Sequence, residues 1–162
     1  MGRTKMKLAD FVCFGATVGE LKARDRDGVI VELVASLEKA GRLGECKCKD
    51  VAASVIKREN EASTGMGKGV AVPHVKHKAA KDVVAAIGLR GAGVDFFSLD
   101  KQPVYSVILL ISPAGNPDKH LQAMECLFRH LQQEKFRKFL KQCRSAEQVE
   151  DLIREADEDP SL

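Results

Sequence analysis

The chain has 162 residues and a net charge of +3, with 44% apolar and 30% charged residues. A chain of this length favours one domain, here residues 1–162, and its composition excludes both a disordered and a membrane-embedded protein. Its apolar runs are far shorter than the roughly 18 residues of a transmembrane helix, and no signal-peptide core follows the basic start of the chain. We therefore predict a cytoplasmic protein with no direct membrane insertion.

The first part of the chain is predicted to consist of short apolar segments followed by two helices. Asp25 or Asp27 can cap the first helix, and Gly41 stands where a helix ends in a left-handed conformation. The apolar residues of that helix recur at helical spacing. In chain order we predict an apolar stretch, a short strand and the two helices at residues 8–14, 16–21, 26–40 and 50–60.

The second part is predicted to contain three strands and then further helices. The strands are predicted at residues 70–72, 83–89 and 104–111. The last strand is almost continuously apolar, as expected of a central strand covered on both faces. Asn116 and Pro117 begin a helix whose pattern continues after a break near Gln133, and Ser145 with Gln148 forms a capping box for a final helix. This order predicts an α/β fold, a single-domain sandwich with a mixed β-sheet flanked by helices on both faces.

The positive charge is distributed unevenly along the chain. Residues 147–162 hold seven acidic residues and one base, so the other 146 residues carry a charge of +9. A basic body indicates an anionic partner such as nucleic acid, a phosphate group or an acidic protein surface, although solvated lysines give the same pattern. The acidic end is predicted to be one capped helix followed by a frayed tail at 156–162, outside a core of about residues 8–155.

The cysteines do not form a recognisable framework. There are five of them, and Cys46-x-Cys48 lacks the second pair that a zinc site requires. An odd number of scattered cysteines, with no export signal, predicts reduced thiols in the cytoplasm. Cys13 and Cys126 are predicted to be buried as small apolar side chains.

The segment 58–74 is the densest feature of the sequence. Gly65, Gly67 and Gly69 alternate along it, a pattern that favours a loop over a strand and lets backbone N–H groups approach an anion. The segment is not a P-loop, because Gly69 replaces the Ser or Thr that should follow Lys68. It is not a dinucleotide fingerprint either, and a tight helix-to-strand connection remains an alternative.

His74 is the candidate reactive residue of this segment. Pro73 restricts the backbone just before it, at the end of a short apolar strand. A neutral imidazole is a good nucleophile toward phosphorus near neutral pH, although a single histidine is more often structural. The glycines and the nearby bases Lys68, Lys76 and Lys78 favour a phosphoryl acceptor.

Together these residues resemble the IIA phosphocarrier family of the bacterial phosphotransferase system, in its fructose/mannitol and nitrogen-regulatory branch. The family pattern is matched in order by Arg58-Glu59, Thr64-Gly65-x-Gly67-x-Gly69, the apolar run 70–72 and Pro73-His74. The segments 93–104, 112–113 and 120–121 also resemble the family, so the likeness covers about residues 8–155. It implies the IIA fructose/mannitol-type fold.

The resemblance assigns roles to individual residues. It implies that His74 accepts the phosphoryl group, that His120 is the second active-site histidine, and that Arg58 helps to hold the phosphoryl group. Thr64 is a weaker candidate for phosphoryl binding. The backbones of Gly65 and Gly67 are weaker candidates of the same kind.

The implied function is that of a phosphohistidine relay, a phosphotransferase component that carries the group covalently and needs no cofactor and no metal. It would receive the phosphoryl group from a histidine phosphocarrier of the HPr or NPr type. It would then pass the group to a IIB partner, or use its phosphorylation state as a regulatory signal. Because no IIB-like cysteine loop is fused to the chain, we expect a regulatory member more than a sugar-uptake component.

Two other classes of function compete with the relay. A nucleic-acid-binding module would explain the basic body, but aromatic residues amount to only 5% and do not alternate with bases. A metal-dependent hydrolase would use His74, His77 and His120. Against it, residues three apart on a strand point to opposite faces, so His77 is predicted to lie at the surface. His130 is predicted to be solvated or half-buried with a structural role.

Overall fold

Ten regular elements and two short 3-10 turns make up the part of the chain, residues 5–162, that the computed structural model describes. The 3-10 turns are Leu8–Asp10 and Phe14–Ala16. The helices are α1 (Arg26–Lys39), α2 (Cys48–Glu61), α3 (Pro117–Leu131), α4 (Glu134–Gln142) and α5 (Ala146–Glu158). The strands are β1 (Gly65–Gly67), β2 (Val70–Ala71), β3 (His74–His77), β4 (Val84–Val94) and β5 (Val104–Pro113).

The five strands form one mixed sheet around β5. β4 is antiparallel to β5 on one side, while β2 and β3 follow each other along the other side and are both parallel to β5. β1 folds back antiparallel to β2. The mixed sheet predicted from the sequence is therefore confirmed, and the residue that begins β3 is His74.

Helices cover both faces of the sheet, because alternate side chains of β5 enter two separate apolar clusters. Ile108 and Leu110 pack with residues of α3, α4 and α5. Val107, Leu109 and Ile111 pack with residues of α1 and α2. All five of these side chains are buried, which explains the continuous apolar run of the strand. In the described residues no helix is long and apolar enough to cross a membrane.

The predicted helix ends agree with the structure. The Asp25 carboxylate accepts a hydrogen bond from the Gly28 N–H at 2.7 Å, and the Asn116 side chain accepts one from the Lys119 N–H at 3.3 Å. Ser145 caps α5. Gly41 has φ +75°, the left-handed conformation that the sequence predicted after α1.

Two strand predictions were wrong in detail. The predicted strand at residues 16–21 is irregular, and only Val18 makes a bridge to the sheet, opposite Gly88. The predicted strand 70–72 ends one residue early at Ala71, and the chain re-enters the sheet at His74. Pro73 separates the two pieces because it has no N–H for a sheet hydrogen bond.

The acidic end is packed rather than frayed. The Asp157 carboxylate accepts hydrogen bonds from the backbone N–H groups of Leu8 at 2.7 Å and Ala9 at 3.0 Å. The side chain of Leu162 is buried against α3 and α5. The charge pattern predicted a solvated tail. Instead, backbone N–H groups of the first 3-10 turn donate to one of its carboxylates. A local sequence pattern does not indicate this distant contact.

Candidate active site

His74 and His120 lie side by side although they are 46 positions apart in the sequence. Their ring centroids are 5.6 Å apart and the ring planes are inclined by 40°. His74 begins β3 opposite Leu110 of β5, and β5 leads through a short turn into α3, whose first turn carries His120. The parallel pairing of β3 with β5 therefore brings the two rings together.

The ring of His74 is held by its own backbone segment. Its Nδ1 lies 2.8 Å from the carbonyl oxygen of Val72, and the side chain is half-buried. A carbonyl oxygen can only accept a hydrogen bond, so Nδ1 carries the proton in this contact. In the neutral ring the free electron pair is then on Nε2.

The ring of His120 is buried and is held by a serine. Its Nδ1 lies 2.7 Å from the hydroxyl oxygen of Ser112, which is itself fully buried near the end of β5. Burial lowers the pKa of His120 below its ordinary value, and the neighbouring charges of His74 and Lys76 lower it further. His120 therefore favours the neutral form in this site.

The glycine segment is a tight hairpin and not the loop that its composition predicted, because Gly65–Gly67 pairs with β2 as a short strand. Gly67 and Gly69 have φ of +84° and +81°, and Lys68 between them has +58°. At Gly65 the requirement is space, since a Cβ there would lie 2.1 Å from the Ser98 hydroxyl oxygen. Gly65 and Gly67 suit this strand because a Cβ at either position would meet the opposite loop, at Ser98 and at Asp100.

Glu59 anchors the start of the hairpin, a contact that the sequence analysis missed. It is only 2% exposed, and its two oxygens accept hydrogen bonds from the N–H and the hydroxyl of Thr64. The carbonyl of Thr64 in turn accepts the N–H of Val72 at 3.2 Å. Glu59 is thus connected through two hydrogen-bonded steps to the residue that holds the His74 ring.

The predicted site residues are brought together to different degrees. His74 and His120 are in direct contact, and Thr64, Gly65 and Gly67 lie in the hairpin that precedes the His74 strand. Arg58 stands in the last turn of α2, where its Nη1 donates to the carbonyl of Ala62 at 3.1 Å. Among the described residues, the structure gives Arg58 no hydrogen bond to either histidine.

Glu59 and Ser112 are the two polar residues of this region that sequence reasoning left without a role. Both stood inside motifs that were recognised, Glu59 in the Arg-Glu pair and Ser112 in the Ser-Pro pair. Ser112 follows a buried apolar run, and Glu59 lies at helical spacing from the buried Val51 and Val55. A polar residue on a buried face indicates a specific hydrogen-bond partner.

The remaining histidines have structural contacts. His77 accepts a hydrogen bond from the Ala79 N–H at 2.9 Å. His130 was predicted to be solvated or half-buried but is only 5% exposed, and its Nδ1 lies 2.6 Å from the carbonyl oxygen of Leu162. That partner comes from the packed end of the chain, so helical periodicity did not indicate it. Within residues 5–162 no three His, Cys, Asp or Glu side chains are grouped so as to hold a metal ion.

Comparison with known sequences shows the family directly. The family model described as "Phosphoenolpyruvate-dependent sugar phosphotransferase system, EIIA 2" matches residues 16–156. A fructose-specific EIIA component of Haloferax volcanii is 31% identical over 80% of this chain and 83% of its own length. A nitrogen regulatory protein of Bradyrhizobium diazoefficiens is 30% identical over 91% of this chain and 95% of its own length.

A longer relative matches as well. The fructose-specific EIIABC component of Bacillus subtilis is 32% identical over 94% of this chain, and the chain spans 24% of the length of that protein. None of these matches supports the nucleic-acid-binding or metal-dependent hydrolase alternatives.

Solved structures confirm the predicted fold. The nitrogen regulatory protein IIA-Ntr from Neisseria meningitidis superimposes with a TM-score of 0.81 at 25% identity, covering 90% of this chain and 98% of that one. IIA mannitol from Escherichia coli has a TM-score of 0.71 at 20% identity, covering 86% and 96%, and so shares the fold. The chain therefore belongs to the EIIA 2 family of the phosphoenolpyruvate-dependent sugar phosphotransferase system, a family of phosphotransferase components.

Proposed function

We propose that the protein is a phosphohistidine relay that carries the phosphoryl group on Nε2 of His74. The observation that supports this assignment is the 2.8 Å contact of His74 Nδ1 with the Val72 carbonyl, beside the ring of His120. Because Nδ1 donates its proton to this carbonyl, Nε2 carries the free electron pair and is the nucleophile. The half-buried ring remains accessible to a protein that delivers the group.

The transfer step is a substitution at phosphorus. The Nε2 electron pair of His74 attacks the phosphorus of a phosphohistidine on the donor protein, and the N–P bond of the donor breaks in line with it. The electron pair of that bond returns to the donor imidazole. No proton has to be removed from His74, because its only N–H proton is on Nδ1, away from the reacting nitrogen.

His120 and Arg58 are proposed to stabilise the charge of the transferring group. A neutral His120 ring, next to His74, can donate one hydrogen bond to a phosphoryl oxygen. Arg58 supplies a permanent planar charge, and its only side-chain hydrogen bond within the described residues uses a single N–H. Thr64 and the backbones of Gly65 and Gly67 are proposed as weaker phosphoryl contacts.

Two protein partners follow from this proposal. The donor is a histidine phosphocarrier of the HPr or NPr type, and the acceptor is a IIB component or a regulatory target. A solved complex of IIAMTL with phosphorylated IIBMTL from Escherichia coli contains a chain of the same fold, with a TM-score of 0.71 at 20% identity. The relatives include fructose-specific and nitrogen regulatory proteins at nearly equal identity, so both kinds of acceptor belong in the test.

The acceptor residue is tested by phosphorylation with purified components. Wild-type protein incubated with phosphoenolpyruvate, the first enzyme of the system and its phosphocarrier should gain one acid-labile phosphate, whereas His74→Ala should gain none. His77→Ala is the matched control, because it removes another histidine of β3 and should be labelled normally. Labelling of His74→Ala at the wild-type level would show that the assignment is wrong.

The supporting residues are tested by rates. Arg58→Ala should slow labelling by about a hundredfold, as loss of one charge-stabilising donor does in other enzymes. The exposed neighbour Lys57→Ala is the control and should leave the rate unchanged. Wild-type rates for Arg58→Ala, or for His120→Ala, would remove that residue from the proposed mechanism.

A further inference from the structure

Ser112 and His120 form an isolated buried pair. Ser112 has no exposed surface and His120 is only 8% exposed, and the hydroxyl oxygen of Ser112 lies 2.7 Å from Nδ1 of His120. Within residues 5–162 this is the only hydrogen bond that the Ser112 hydroxyl makes. The direction of this one bond therefore decides whether the buried O–H is satisfied.

The two possible directions differ in cost. If Ser112 donates to Nδ1, its O–H has a partner and only an oxygen electron pair is left unused. If Nδ1 donates to Ser112, the serine hydrogen is left without an acceptor in the protein interior. A buried donor without a partner loses its hydration without compensation, whereas unused electron pairs are tolerated more often. The serine therefore donates and Nδ1 accepts.

We propose that Ser112 is a positioning residue that fixes His120 as the neutral tautomer with its proton on Nε2. The Nε2–H is then the single donor of the ring, next to the proposed phosphoryl site on His74, whose ring centroid is 5.6 Å away. In this arrangement His120 acts as a hydrogen-bond donor and not as a base. The catalytic part of this statement rests on the proposed function, while the tautomer does not.

The same bond opposes protonation of His120. An imidazolium has N–H on both nitrogens, so Nδ1 would have to donate and the Ser112 hydrogen would lose its partner. This effect acts in the same direction as the burial of the ring and the charges of His74 and Lys76, which lower the pKa of His120. The fixed donor thus persists at neutral pH.

The tautomer can be read directly by nitrogen NMR of the full chain labelled with ¹⁵N-histidine. In the wild type, Nδ1 of His120 should show the shift of an acceptor nitrogen and Nε2 that of an N–H nitrogen. Ser112→Ala should give a mixture of the two tautomers, and Ser112→Thr should restore the single one. A proton on Nδ1 in the wild type, or an unchanged tautomer in Ser112→Ala, would overturn the proposal.

A matched control is available on the same strand. Ser106 is also buried in β5, at 2% exposure, and has no side-chain hydrogen bond to a histidine in the described residues. Ser106→Ala should leave the His120 tautomer as in the wild type. A tautomer change of equal size in both alanine variants would assign the effect to general loosening of the strand and would refute the role of Ser112. If Ser112→Ala does not fold, the wild-type and Ser112→Thr spectra decide.

Transfer kinetics provide the second measurement. Ser112→Ala should slow phosphorylation of His74 by about tenfold, as loss of an orienting partner of a site histidine does elsewhere, and Ser112→Thr should recover it. The pH profile of Ser112→Ala should also change, because protonation of His120 becomes easier. If His74 is not the acceptor, the protein is still labelled when His74 is replaced by alanine. The NMR measurement of the His120 tautomer does not depend on that result.

Discussion

Both carboxylate oxygens of Glu59 accept a hydrogen bond from Thr64, one from its backbone N–H and one from its hydroxyl, each at 2.6 Å. The pair joins the last turn of α2 to the residue that precedes the glycine hairpin. Burying a carboxylate, here at 2% exposure, is costly unless it is well hydrogen-bonded. The two bonds from Thr64 replace hydrogen bonds to water that the carboxylate loses on burial. The contact therefore orders the connection that leads to the strand of His74.

We predict that Glu59→Gln loosens this connection. A glutamine amide has one acceptor oxygen for the Thr64 N–H, and its NH2 group would have to donate to the Thr64 hydroxyl, so two charge-assisted bonds become two weaker neutral ones. The loss should lower the free energy of unfolding by about 1–3 kcal/mol, measured by urea denaturation. Glu61→Gln is the control, because Glu61 is exposed and should change stability little. Equal stabilities for the Glu59 and Glu61 variants would contradict the anchoring role.

Gly65 is predicted not to tolerate a methyl group. The Cβ of Gly65→Ala would lie 2.1 Å from the Ser98 hydroxyl oxygen and 2.9 Å from the Ser98 Cβ, so the loop opposite must move. Overpacking of this kind typically costs about 1–3 kcal/mol, and thermal unfolding would measure it. Gly91→Ala, where a Cβ meets nothing within 4 Å, should be close to neutral. A Gly65→Ala protein as stable as Gly91→Ala would show that the hairpin and the loop are not closely packed.

The lowered pKa of His120 predicts how stability depends on pH. In the unfolded chain this ring titrates near its ordinary value of 6.5, and in the folded protein burial shifts its pKa below that. The unfolded state therefore binds the proton more readily, so the contribution of His120 is complete above 6.5 and is lost as the pH falls.

Urea unfolding between about pH 5 and pH 7.5 tests this dependence. His120→Asn should show a shallower fall in stability toward low pH than the wild type. His77→Asn, which leaves His120 in place, should keep the steeper fall. The same slope in His120→Asn as in the wild type would mean that burial of this ring is not linked to stability.

Asp157 is predicted to hold the two ends of the described chain together. Asp157→Ala removes the acceptor of the Leu8 and Ala9 N–H groups and should destabilise the protein by about 1–2 kcal/mol, as loss of a capping side chain does. Glu155→Ala, an exposed acid of the same helix, should have a small effect. Hydrogen exchange at Leu8 and Ala9 should accelerate in the Asp157 variant alone. Unchanged exchange would indicate that the capping contact is not maintained in solution.

Local patterns were sufficient for the elements whose cause is local. A cap at Asp25 or Asp27, the left-handed Gly41 and the start of α3 at Asn116 were all predicted, because each depends on one or two neighbouring residues, and the structure selects Asp25. The run of residues 104–111 likewise predicted a strand covered on both faces. The motif ending in Pro73-His74 was enough to indicate the family, since its residue types and spacing are specific.

Several errors involve partners that are distant along the chain, whereas the missed Glu59–Thr64 and Ser112–His120 hydrogen bonds join residues only five and eight positions apart. Position 65 requires glycine because Ser98, 33 residues further along the chain, leaves no room there for a side chain. His130 is held by Leu162, which helical periodicity did not indicate. Asp157 is held by the backbone of the first 3-10 turn, which the charge pattern did not indicate.

The sequence by itself determined the class of fold, the family and the candidate histidines, because apolar periodicity and motif spacing depend only on residues that are close together in the chain. Only the tertiary structure indicates which nitrogen of each histidine ring carries the proton. That choice depends on the Val72 carbonyl beside His74 and on the Ser112 hydroxyl beside His120. Hydrogen bonds require an approach of about 3 Å, and for His120 the turn that leads from β5 into α3 creates that approach.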